Sequence, residues 1–133
     1  MASELYEKGM AVRRKVMGEA HIKRRAGRGD ELTRKHYELV TEIAWGTVWS
    51  RPGLPLKVRS LVTLGMLAAL DRPDEIKGHI NGALNNGATP DEIYEVFLQA
   101  AVYCGFPASN TSVRAAVEVF TERGLLQRMK ENR

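Results

Sequence analysis

An all-α fold is what the sequence predicts, as a single-domain bundle of about six helices, and three observations predict it. Apolar residues recur every three or four positions through most of the 133 residues, and no stretch sustains strand-like alternation. Short breakers (SRPGLP, DRP, NNG and GFP) interrupt that period at helix-length intervals. The segment TPDE spells a helix start: a capping threonine, a proline and two acids in the first turn. Hydrophobic residues make up 44% and charged residues 27%, the balance of a soluble globular domain, which excludes a disordered chain. No apolar run approaches the ~20 residues that span a bilayer, and MASELYEKGMAVRRK lacks the apolar stretch of a secretory signal. The expected location is the cytoplasm.

The elements follow in order. Ser3 caps a first helix over 3–17, with Leu5, Met10, Val12 and Val16 as its apolar positions and Gly18 as its stop. The stretch 18–30, GEAHIKRRAGRGD, reads as an irregular connection ending in Asp30, which caps the next helix. Residues 31–50 keep a helical period through Leu32, Leu39, Val40, Ile43 and Val48 up to the SRPGLP break. Residues 55–70 form the most apolar helix, apolar on nearly all sides and therefore expected at the centre of the core. A helix over 73–86 carries Ile76, Ile80 and Leu84 at i, i+4 and i+8 and stops at NNG. Thr89 starts the next, which runs to Cys104. The last covers 108–123, stopped by Gly124, and the tail LLQRMKENR reads as partly frayed.

The net charge of +4 is small, so its placement matters more than its size. Lys8, Arg13, Arg14, Lys15, Lys23, Arg24, Arg25 and Arg28 crowd the first thirty residues. They read as a solvated arm or a positive rim that steers an anionic substrate. No helix-turn-helix, zinc or RNA-binding signature accompanies them, so nucleic acid is not the expected partner. The single cysteine, Cys104, excludes an internal disulfide and CxxC redox chemistry, and reads as a small buried hydrophobe.

Candidate chemistry is sparse. Glu75 and His79 lie one turn apart on one helix face, either an acid–base pair or a surface ion pair. His21 falls in the basic connection and His36 on a wet helix face. WGTVWSRPGL places Trp45 and Trp49 at i, i+4 and presents Arg51 in a proline–glycine turn. Arg59 follows just inside the most apolar helix, where a guanidinium needs an anion or a hydrogen-bond acceptor. YCGFPASN is either an interhelix turn capped by Ser109 or Asn110, or a pocket lip with Tyr103 as donor. The three histidines do not converge as metal ligands would. These residues alone describe a helical domain with an anion pocket.

The strings RRKVMGEAHI, WGTVWSRPGL, KVRSLVTLGMLAAL and EIKGHINGALNNGATPDEIYEVFLQAAVYCGFPA carry a resemblance to the carboxymuconolactone decarboxylase family, over roughly residues 9–122. The resemblance implies the alkylhydroperoxidase-like fold and a homo-oligomer, typically a hexamer. Peroxidase members of that superfamily carry Cys-x-x-Cys-x-x-x-His; counting back from His79, the cysteine places here hold Arg72 and Glu75, so the redox dithiol is missing. What is implied is cofactor-free and metal-free loss of carbon dioxide from the dianionic lactone γ-carboxymuconolactone, in protocatechuate catabolism. On that reading Arg51 and Arg59 hold the carboxylates, with Trp45 and Trp49 as a poorly solvating wall. His79, set by Glu75, delivers the proton, His21 is its substitute, and Tyr103 donates a hydrogen bond. The alternatives are a related decarboxylase or isomerase on another lactone, and a non-catalytic oligomer that binds aromatic-derived acids.

Overall fold

The computed structural model describes residues 2–26 and 29–131. Its elements are α1 (Glu4–Met17), α2 (Glu19–Ala26), α3 (Glu31–Val40), a π-helical segment (Thr41–Trp49), α4 (Leu56–Ala69), α5 (Pro73–Asn85), α6 (Pro90–Cys104), α7 (Phe106–Glu122) and α8 (Leu125–Glu131). Among the described residues there is no strand, as the periodicity predicts. The chain separates into two compact units, one up to Arg59 and one from Ser60 on.

In the first unit the Ser3 side chain accepts the Tyr6 amide and caps α1, and Asp30 accepts the Thr33 amide and caps α3. Gly18 joins α1 to α2 at φ 87° and ψ 156°, a conformation open only to a residue without Cβ. The stretch expected to be irregular is therefore α2. Glu19, Ala20, Lys23, Arg24 and Arg25 are good helix formers, and Ile22, 5% exposed, anchors the element.

The expected single helix over 31–50 is instead α3 followed by the π-helical turns. α1 packs on that segment at a backbone-to-backbone crossing. A Cβ on Gly9 would fall onto the Thr41 carbonyl oxygen, and a Cβ on Gly46 would lie 2.6 Å from the Leu5 carbonyl oxygen. Val16, Met17, Trp45 and Trp49 form this unit's buried core. Leu32 and Leu39 of α3, expected on the inner face, are exposed.

The second unit follows its sequence signals more closely. Thr89 and Glu92 form a reciprocal capping box at the start of α6. Gly105, at φ 94° and ψ 154°, ends α6 and starts α7, so neither Ser109 nor Asn110 caps that helix; both lie inside it. α7 packs against α5, α6 and α8. The core is aliphatic, built on Leu64, Ile76, Ile80, Ile93, Phe97 and Val119. The tail forms α8 as far as Glu131, and Leu125 and Leu126 pack against this core.

α4 departs from its expected central position. It buries Ser60, Leu64 and Ala68, whereas Val58, Val62, Met66 and Leu70, spaced by four, stay between 37% and 62% exposed. A helix apolar all round needs partners on every side, and a single chain covers one face.

Candidate active site

The tryptophans are brought together as their spacing predicts. Trp45 and Trp49 stack with ring centroids 4.6 Å apart, both buried within the π-helical turns. Wide i→i+5 turns inside helices recur at functional sites.

The turn after Trp49 is held by its own arginines. The Arg59 guanidinium, half-buried on α4, donates through Nη2 to the Arg51 carbonyl oxygen at 3.1 Å. The acceptor that an arginine in so apolar a helix requires is thus supplied by the preceding turn, and the Arg51 side chain is left exposed beside it. His21 is half-buried on α2, and His36 is exposed on α3 as expected.

Arg13 is the residue that sequence reasoning misplaced. Counted with the solvated arm, it is 7% exposed. Its Nη1 donates to the Thr41 hydroxyl at 2.8 Å, and that hydroxyl donates in turn to the Tyr37 carbonyl oxygen. The guanidinium lies 4.1 Å over the Tyr37 ring and 6.0 Å from Trp45, a cation–π arrangement. Burial holds the Arg13 pKa below the usual arginine value, opposed by Tyr37 and reinforced by the like charge of Arg25. The signal was present: Arg13 shares its helix face with the buried Met10, Val16 and Met17. A dense basic run masked it. Arg28, counted in the same run, lies outside the described residues.

In the second unit His79 is half-buried on α5, between the fully buried Ile76 and Ile80, with its Nδ1 shielded from solvent. Glu75 sits one turn earlier as the spacing requires, and its side chain is exposed. Tyr103 lies in the last turn of α6, 79% exposed, at the lip of an open, mainly apolar cavity of about 550 Å³. Leu61, Gly65, Val96 and Cys104 also line it. Cys104 is exposed, not the buried hydrophobe expected, because it occupies the last position of α6, on its outer side.

The family model "Carboxymuconolactone decarboxylase family" matches residues 34–118. The chain is 42% identical over 120 residues to a 4-carboxymuconolactone decarboxylase of Acinetobacter baylyi, covering 90% of each chain. It is 46% identical over 104 residues to a nitrosuccinic acid decarboxylase of Metarhizium robertsii, covering 78% of this chain and 73% of that one. An uncharacterised 15.0 kDa protein of Paracoccus denitrificans is 33% identical over 84 residues, 61% of this chain and 62% of that one.

Proposed function

We propose a reaction for this chain from one premise: it belongs to the carboxymuconolactone decarboxylase family. It is a decarboxylase, and its substrate is γ-carboxymuconolactone, which it converts to the 3-oxoadipate enol-lactone. The observation that carries the reading is the 42% identity across 90% of both chains to the Acinetobacter enzyme.

The substrate's chemistry fits a protein that brings no cofactor. The departing carboxylate sits on the saturated ring carbon next to the ring double bond, which is itself conjugated to the lactone carbonyl. As the carbon–carbon bond breaks, its electron pair moves through that double bond onto the carbonyl oxygen, and carbon dioxide leaves. A proton then adds to the carbon beside the carbonyl. Nitrosuccinic acid, named for the second relative, has the same logic, with a nitro group as acceptor beside the lost carboxylate. That relative favours a second reading in which an acyclic dicarboxylate is turned over.

The protein's tasks follow from this flow. Arg51 and Arg59 meet the carboxylates, since a guanidinium fork matches them. Trp45 and Trp49 deny water to the departing carboxylate. His79 delivers the proton and Tyr103 donates to the developing oxyanion, with His21 the substitute for His79. Glu75 orients His79 once substrate is bound. Both compact units belong to one functional domain, working in the cytoplasm.

The same reading includes a homo-oligomer, a hexamer by family resemblance. The open stripe of Val58, Val62, Met66 and Leu70 suits a second copy as its cover. Met66→Glu, a charge set in that stripe, is expected to lower the mass measured by light scattering; an unchanged mass refutes the stripe as the interface.

The test of function generates γ-carboxymuconolactone in situ and follows its loss beside nitrosuccinate. Wild type is expected to prefer the lactone. His79→Ala is expected to lower kcat by about 10²–10⁴-fold, the range of general acid catalysis. An equal rate in the variant moves the proton donor to His21. No turnover of the lactone by wild type refutes the substrate assignment.

A further inference from the structure

The least satisfied group in the first unit is Arg13. It is 7% exposed, and its Nε is fully buried without a hydrogen-bond acceptor. One bond to a neutral hydroxyl and two aromatic faces are its known contacts. Among the described residues no carboxylate forms an ion pair with it, and the charged side chain that acts on it is another cation, Arg25. Beside it the Tyr37 hydroxyl is also buried without a partner. A buried cation that lacks its counter-ion is costly, and a buried unmade hydrogen bond adds to the cost. Two such donors within one stack, over an aromatic floor, describe a seat that an acceptor-rich anion completes.

We infer that Arg13 and Tyr37 form a further carboxylate subsite, which takes the carboxylate of the substrate that is retained and narrows the part of Arg51 and Arg59 to the one that departs. The inference rests on the decarboxylase reading for the identity of that carboxylate, but not for the existence of the subsite. The Arg13 Nε and the Tyr37 hydroxyl supply the two donors. Thr41 fixes the guanidinium from its far side by accepting from Nη1. Arg25 adds a second positive charge from α2, where His21 precedes it by one turn on the same helix face. The chemistry selects a planar carboxylate, because a guanidinium edge and a phenol together match its two oxygens.

The chain carries its own reporter. It has two tryptophans, and both lie in this cluster, with Trp45 6.0 Å from the guanidinium. The probe is succinate, titrated into the full-length protein while tryptophan emission is read; dimethyl succinate and sulfate serve as controls. Expected is a saturable change with succinate, none with the neutral diester, and weaker binding of sulfate. Arg13→Met is expected to weaken succinate binding and to raise KM for the lactone by about 10- to 100-fold, with kcat within about threefold, as for loss of a charge-assisted bond. Tyr37→Phe, which keeps the ring under Arg13, is expected to cost about threefold to tenfold in the same constants. Thermal unfolding of each variant separates lost binding from lost structure. If Arg13→Met does not fold, Arg13→Lys and Tyr37→Phe carry the comparison.

A wild type without a saturable succinate response overturns the subsite. So do folded variants that bind succinate as the wild type does. Sulfate binding as tight as succinate overturns the carboxylate assignment. Lactone turnover with KM unchanged in Arg13→Met leaves the function standing and removes this inference. Arg13-dependent succinate binding without lactone turnover does the reverse.

Discussion

The two compact units solve the same problem, burying the inner faces of short helices, with different materials. The second does it with aliphatic side chains in every layer: Leu64, Ile76, Ile80, Ile93 and Val119 around Phe97. The first does it with two stacked indoles, a pair of glycines that let backbones touch, and a guanidinium drawn in among aromatic rings. An aliphatic core gains by shedding water and asks little of direction. An aromatic and cationic core gains only when ring planes and donors are set at the right angles. The difference teaches where specificity is stored in this molecule: the second unit supplies apolar burial against unfolding, and the first supplies geometry.

That contrast can be broken at its strongest point first. Phe97→Ala empties the middle of the aliphatic core and is expected to cost about 3–5 kcal/mol, read as a shift in the denaturation midpoint. An effect under 1 kcal/mol refutes Phe97 as the keystone of the second core. Gly9→Ala is expected to cost about 1–3 kcal/mol by forcing α1 off the π-helical turns. Its signature is loss of near-ultraviolet tryptophan ellipticity while amide protection on α6 and α7 is retained; coincident loss of both joins the units into one cooperative block.

The smallest effect concerns pH. The hydrogen bond from the Thr33 amide holds the Asp30 carboxyl below its usual value. Its cap on α3 is therefore fully present above the ordinary aspartate pKa and fades as pH falls through the lowered value in the folded chain. Amide exchange at Thr33 is expected to accelerate below about pH 4. Exchange independent of pH after correction for its chemical rate refutes the cap.

Legibility in the sequence divided along the same line. The starts of α1, α3 and α6 were readable because Ser3, Asp30 and the Thr89–Glu92 box are local signals, each satisfied within one turn. The second core was readable because Ile76 and Ile80 keep a strict period. What escaped were features made by contact between distant residues. α2 was hidden by a basic run in which Ile22 is its single buried position. Arg13 was hidden because a charged side chain enters a core only when remote groups such as Tyr37 and Thr41 receive it. The π-helical turns have no composition of their own. At the site, the pairing of the tryptophans and the turn that presents Arg51 were legible from spacing, whereas the Arg59 bond to the Arg51 carbonyl and the exposure of Glu75 depend on how the helices are turned.

The π-helical segment also bears on how this chain can change length. Insertions and deletions ordinarily settle in loops, where the backbone has slack. Here the nearest loop has little, because the Arg59 side chain clasps the carbonyl of Arg51 across it. The slack sits inside the helix instead. Wide turns carry one more residue per hydrogen-bonded ring than α-helical turns, so removing a residue between 41 and 49 tightens the coil without cutting it. A one-residue gap between this chain and a shorter relative accordingly belongs within the helix, beside the tryptophans, and not in the proline-rich turn where an aligner would first set it.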